Sequence, residues 1–147
     1  MVFELVYTSL ASGQGLDDQG LNAILQVSRL RNLELKITGA LFYERGEFVQ
    51  LLEGEEAAVR SLYYGKIALD PRHRTPYVCW EQAKEARTFP DWQMGFVPAD
   101  PDFPLPRDGL LKNGIKSLDL SGRRSIGRDL YLNIVADMQN PRRAGEG

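Results

Sequence analysis

Ile37-Thr38-Gly39-Ala40-Leu41-Phe42-Tyr43-Glu44-Arg45-Gly46-Glu47-Phe48-Val49-Gln50-Leu51-Leu52-Glu53 reads as two strands, 37–43 and 47–53, around a tight turn at Glu44-Arg45-Gly46. Upstream, Val2 to Thr8 alternates as a strand, with Phe3, Leu5 and Tyr7 on one parity and Glu4, Val6 and Thr8 on the other. Between them, Asp17 or Asp18 caps a helix whose inner face carries Leu21, Ile24, Leu25 and Ser28. Arg29 and Arg31 suit the negative end of that helix's dipole. Downstream, residues 55–69 form a second helix with Val59, Leu62, Tyr63 and Ile67 inward, stopped at Asp70-Pro71. Tyr77 to Ala86 and Trp92 to Val97 add two more strands.

The order β-α-β-β-α-β-β is the split βαβ, ferredoxin-like pattern of the α+β class with one added strand. It predicts an antiparallel sheet, both helices on one face, and the first and third strands side by side. The unit spans 1–97. Four of the eight prolines fall in 98–106, so 98–108 is a stiff connection. Residues 109–140 are expected to be a helical extension. Leu110, Leu111, Ile115 and Leu118 mark a short helix, and Ile126, Leu130, Ile134 and Met138, spaced by four, mark a second. These helices must pack on the open face of the sheet or on another chain, so a homo-oligomer stays open. Residues 141–147 are expected to be a disordered tail.

Composition narrows the chemistry. The 147 residues are 43% hydrophobic and 26% charged, which suits one folded domain. A net charge of −2 argues against binding nucleic acid through phosphate neutralisation. One cysteine and one histidine exclude a disulfide framework and a Cys- or His-rich metal site. No apolar run is long enough to span a bilayer, and the N-terminus lacks a signal-peptide pattern. The expectation is a cytoplasmic domain in which any difficult chemistry would have to come from a bound cofactor.

Polar residues at inward positions locate a site. Ser28 and Asn32 follow Ile24 at spacings of four. Tyr7 has the parity of Phe3 and Leu5, and Gln50 has the parity of Phe48 and Leu52. On neighbouring strands a phenol and a primary amide then face the same way. Either they satisfy each other and the backbone, or they face a ligand with several hydrogen-bonding edges. Cys79 reads as a small core residue, Trp80 as core or interface, and Glu53-Gly54-Glu55-Glu56 as an acidic helix start.

Together these stretches resemble the BLUF domains, blue-light receptors that bind FAD. The resemblance rests on Leu5-Val6-Tyr7-Thr8-Ser9, Ser28-Arg29 with Asn32, and Ile37 to Tyr43. It continues through Phe48 to Gly54, Asp70-Pro71-Arg72-His73, Arg87-Thr88-Phe89 and Trp92-Gln93-Met94-Gly95-Phe96. It implies the same ferredoxin-like fold, with the flavin ring between the two helices. By position, it implies that Tyr7 is the electron and proton donor and that Gln50 bridges Tyr7 to the flavin N5/C4=O edge. Asn32 would bond the ring's pyrimidine edge, and Ile24, Ser28, Phe48 and Leu52 would line the ring. Lys66, Asp70, Arg72 and His73 would flank the flavin's other end. Trp92 and Met94 would relay the signal to a separate effector protein.

Two departures from the family pattern stand out. The chain is one residue longer between Glu53 and Asp70, near Tyr63-Tyr64-Gly65. An inserted helical residue rotates the rest of the helix by about 100° unless a π-bulge absorbs it, which bears on Lys66, Asp70 and His73. Ala40 also replaces a bulkier residue. A flavin-free interaction module and a small ferredoxin-like hydrolase are the rival readings. The colour of the purified protein separates them from the first.

Overall fold

The computed structural model describes residues 1–11, 18–44, 46–71, 73–88, 95–98 and 125–138. The hairpin is formed by β2 (Thr38–Glu44) and β3 (Glu47–Gly54), with Glu44 paired to Glu47 across a two-residue turn. Gly46 takes φ 82°, the left-handed conformation that a tight hairpin turn requires and glycine supplies at least cost.

The first strand, β1 (Val2–Ala11), lies antiparallel beside β3, as strand order predicts. The helix α1 (Asp18–Leu35) follows it. A strand β4 (His73–Lys84) pairs antiparallel with the other edge of β1, starting four residues earlier than the sequence predicts. A short β5 (Gly95–Pro98) completes the order β4-β1-β3-β2-β5. The first four strands are antiparallel throughout, and β3 is inserted between β1 and β2. The fifth runs parallel to β2. The expectation of an antiparallel sheet therefore holds for four strands and not for the added one, because the chain leaving β4 crosses to the far edge and returns in β2's direction.

Strand parity separates two cores. On one face Phe3, Leu5, Tyr7, Ile37 and Leu52 pack with Val59, Leu62, Tyr63 and Ile67. The last four come from α2 (Glu56–Leu62) and the π-helical turn Tyr63–Ile67 that continues it. The predicted helix over 55–69 is thus α-helical only to Leu62. Ala68 N then donates to Tyr63 O at 2.8 Å, five residues back. This wider turn keeps both Tyr63 and Ile67 buried.

On the opposite face Val6, Ala40, Phe42, Val49 and Leu51 pack against Tyr131, Val135 and Met138 of α3 (Ile126–Met138). This helix, α3, covers the open face of the sheet, one of the two expected arrangements. Its rotation differs from the predicted one. Ile126 is 65% exposed, Leu130 and Ile134 are half-buried, and the buried seam is Gly127, Arg128, Tyr131, Val135 and Met138. The expected helix near 110–118 and the segments 99–124 and 139–147 lie outside the described residues.

A buried ionic cluster sets that rotation. Glu4 Oε1 accepts from Trp80 Nε1 at 3.0 Å and from Gly127 N at 3.1 Å. Its Oε2 accepts from Ser125 Oγ at 2.8 Å. Ser125 Oγ in turn accepts from Arg128 N at 3.0 Å, the N-cap bond of α3. Lys84 Nζ lies 2.7 Å from both Glu4 Oε2 and Glu53 Oε2. Glu53 also accepts from Thr88 N at 2.8 Å and from Thr38 Oγ1 at 3.2 Å. Arg87 closes the cluster, donating to Thr38 Oγ1, Glu53 O and Lys36 O at 2.8, 2.9 and 2.6 Å. Glu53 therefore belongs to this cluster and not to the acidic helix start in which the sequence places it. Glu55 and Glu56 keep that place. Among the described residues no helix is long and apolar enough to cross a membrane, and no His, Cys, Asp and Glu group is arranged to hold a metal ion.

Candidate functional site

The β1/β3 register places Tyr7 directly opposite Gln50. Both are 2% exposed, and the phenol donates to Gln50 Oε1 at 2.5 Å. The alternation of β1 aims Tyr7 into the core of Leu5, Leu52, Val59 and Leu62. That surrounding fixes the protonation state. Burial pushes the Tyr7 phenol well above its ordinary pKa, the neighbouring Tyr63 and Asp70 push the same way, and Arg31 opposes them. Tyr7 is therefore a neutral donor at ordinary pH. With Oε1 engaged, the N–H₂ of Gln50 is the donor end of the amide.

Ile37, just past the end of α1, packs in the core of Tyr7 and so brings the end of α1 to this face. Ser28 and Asn32, one turn apart on α1, are both buried, Asn32 completely. The Asn32 carbonyl also accepts from Ile37 N at 2.9 Å, tying the helix end to the entry of β2. Phe48 and Leu52 flank Gln50 on β3 and are buried. Phe48 packs on Tyr43 with ring centroids 4.7 Å apart, whereas Leu52 shares the core of Tyr7. Asp70 is half-buried, and its N–H donates to Ile67 O at 3.1 Å.

The other expected contacts are placed apart or lie outside the description. Lys66 is exposed on the π turn. Ile24 falls on α1 and His73 opens β4, and only their backbone positions are described. Arg72, Trp92 and Met94 lie outside the described residues. Two neighbours went unassigned in the sequence. Tyr63 packs on Tyr7 with ring centroids 4.9 Å apart, and Arg31 acts on the Tyr7 phenol. The inward periodicity of the second helix marks Tyr63, but only the fold shows that it meets Tyr7.

The donor set is chemically uniform. Tyr7, Gln50, Asn32 and Ser28 are buried, neutral, and able between them both to donate and to accept. Leu52, Phe48 and the aliphatic core supply apolar walls. Such a set matches a flat, uncharged ring with amide-like edges better than it matches a phosphate or a metal.

Comparison with known proteins points the same way. The sequence model of the family BLUF, "Sensors of blue-light using FAD", matches residues 2–95. Photoactivated adenylate cyclase subunit beta of Euglena longa is 37% identical over 91 residues, 61% of this chain and 10% of that protein. The chain spans about a tenth of the length of such curated relatives. Among solved structures, the dark state of BlrB, a BLUF protein, aligns with a TM-score of 0.64 at 34% identity, covering 92% of this chain and 96% of that one. A bacterial light-regulated adenylyl cyclase aligns with a TM-score of 0.65 at 27% identity over 99% of this chain and 36% of that one.

Proposed function

This chain belongs to the BLUF family, blue-light sensors that use FAD, and from that premise we propose that Tyr7 and Gln50 are its light-responsive pair. The observation that carries the reading is their buried hydrogen bond across adjacent strands. Bound FAD supplies blue-light absorption and, when excited, one-electron oxidising power. The neutral donor set described above fits its ring, with Asn32 and Ser28 holding the polar edge and Leu52 and Phe48 lining the faces.

Tyr7 gives up one electron, and the phenol then becomes strongly acidic. Its proton moves along the existing hydrogen bond to Gln50 Oε1. Gln50 responds by rotation or by tautomerisation, either of which exchanges its donor and acceptor ends. When Tyr7 recovers its electron and proton, the amide is left in the exchanged state. The stored signal is therefore a changed hydrogen-bond direction, held in a core where misdirected bonds are costly to undo.

The reading extends to residues 1–97 as the FAD-binding unit, with Trp92 and Met94 passing the change onward, and to Asp70, Arg72, His73 and Lys66 near the far end of FAD. It places the chain in the cytoplasm, in line with its single, free cysteine. It assigns the output to a separate effector protein, as the resemblance to the family implies. The test is light-minus-dark absorption. Wild type shows a reversible red shift, whereas Tyr7→Phe and Gln50→Leu stay yellow and show none. A normal red shift in either variant sinks the assignment.

A further inference from the structure

The π turn places more than one phenol near the buried pair. Tyr63 lies against Tyr7 with ring centroids 4.9 Å apart and planes at 48°. Tyr64 lies edge-on to Tyr63 at 4.9 Å and 87°. Three phenol rings thus run in continuous contact from the core to the surface, since Tyr63 is 2% exposed and Tyr64 46%. The outer end differs in chemistry from the inner end. Tyr64 Oη donates to Glu81 Oε2 at 2.9 Å, a carboxylate. The other oxygen of Glu81 lies 3.4 Å from Arg60 Nη1.

A phenol loses an electron most easily when a base takes its proton at the same time. Burial holds the phenol of Tyr63 at a pKa pushed up to about 12, and that of Tyr7 higher still. The Tyr7 phenol donates to an amide oxygen, that of Gln50. Tyr64 has a carboxylate at hydrogen-bonding distance, and a negative charge beside a ring stabilises the hole left on it.

We propose that Tyr63 and Tyr64 form a redox side branch, through which a hole created at Tyr7 is filled by an electron from Tyr64. The inference rests on the assignment of Tyr7 as donor. In the first step Tyr7 loses one electron to light-excited FAD, and its phenolic proton crosses to Gln50 Oε1. One electron then passes from Tyr64 through the ring of Tyr63 to Tyr7. The proton on Gln50 returns to Tyr7 Oη, which restores the phenol. The O–H bond of Tyr64 breaks as its electron leaves, and that proton goes to Glu81 Oε2. In total one electron moves from Tyr64 to FAD, one proton moves from Tyr64 to Glu81, and a neutral phenoxyl radical remains on Tyr64. That radical is half-exposed, where a small-molecule reductant such as a thiol reaches it. The branch competes with the return of the electron to Tyr7, so it diverts a share of excitations from the light cycle.

The test is radical capture on the flavin-loaded full chain under blue light. A nitroso spin trap is present, the adducts are located by peptide mass spectrometry, and the red shift is read in the same samples. Tyr77 is the internal reference: it is 68% exposed, more than Tyr64, so diffusing oxidants favour it. The proposal expects adducts on Tyr64 in wild type and none on Tyr77. It expects them to be lost in Tyr7→Phe, where the hole cannot start, and in Glu81→Gln, where the proton has no carboxylate to go to. A normal red shift without Tyr64 adducts overturns the branch alone. Adducts that persist in Tyr7→Phe, or that favour Tyr77, also overturn it, as direct surface oxidation. Absence of the red shift in wild type overturns the Tyr7–Gln50 reading and the branch with it.

Discussion

The two faces of one sheet bury polar groups in opposite ways. On the α2 face the polar centre is Tyr7 and Gln50, neutral and joined by one hydrogen bond. On the α3 face it is Glu4, Lys84 and Glu53, charged and tied together by two ion pairs of 2.7 Å and the hydrogen bonds around them. Both centres use β1 and β3, three residues apart along each strand and on opposite parities. The difference separates what a buried group is good for. A neutral amide can exchange donor and acceptor ends while creating no charge. A carboxylate out of water needs every partner in place, because an uncompensated buried charge costs several kcal/mol. One face is therefore built to change and the other to hold, and the holding side also seats α3.

The largest effect should come from breaking the ionic face. Lys84→Met leaves Glu4 and Glu53 facing each other without a cation, and should destabilise the fold by about 3–5 kcal/mol in urea unfolding. A loss under 1 kcal/mol would show that the cluster is solvated and the contrast between faces is overstated.

Alkali should weaken both faces together. Burial raises the phenol of Tyr7 on one face and of Tyr131 on the other, and Tyr63 rises to about 12. Unfolded tyrosine ionises near its ordinary pKa of about 10. Above that pH the unfolded state releases protons that the folded state still holds, so stability falls as pH rises. Each fully buried phenol should contribute a loss of about 1.4 kcal/mol per pH unit. Phenolate absorbance should then rise in step with loss of structure. A titration of all phenols before unfolding contradicts the burial.

Gly127→Ala probes the seat of α3 alone. A Cβ there would stand 2.5 Å from Glu4 Cδ and Oε1, so the helix start or the carboxylate must move. The expected cost is about 1–3 kcal/mol. Hydrogen exchange should quicken in α3 and in the strand residues beneath it more than around Tyr7 and Gln50.

The smallest stability effect should accompany the largest functional one. Tyr7→Phe combined with Gln50→Leu removes both members of the Tyr7–Gln50 hydrogen bond, so neither is left facing the other's missing group. The double variant should melt within about 1 kcal/mol of wild type, and the Gln50→Leu single variant should lose about 1–3 kcal/mol by removing the acceptor of a buried phenol. Light-minus-dark spectra of the double variant should be flat. A double variant as unstable as Lys84→Met would erase the distinction between the two faces.

Much of the changing face was legible in the sequence. Alternation alone put Tyr7 with Phe3 and Leu5, and Gln50 with Leu52, and strand order made the two strands neighbours. The extra residue near Tyr64 predicted either a rotated helix or a π-bulge, and the π turn Tyr63–Ile67 is the outcome. The holding face was not legible. Glu4 and Lys84 sit at strand positions where a charge ordinarily means solvent, and Glu53 reads as part of a helix start.

Period, spacing and turn residues determine the local elements, because each depends on neighbours along the chain. Which way α3 faces depends on atoms far away in sequence. Two apolar rows lie side by side on that helix, Ile126-Leu130-Ile134 and Tyr131-Val135-Met138, and hydrophobicity favours neither. The choice falls to Glu4, whose carboxylate takes the Ser125 hydroxyl and the Gly127 N–H and so fixes the rotation. The contact between Tyr7 and Tyr63 is decided in the same way, by a helix that meets β1 only after the sheet has formed. A hydrogen bond or a ring contact needs positions set to within ångströms, and only the assembled tertiary structure supplies them.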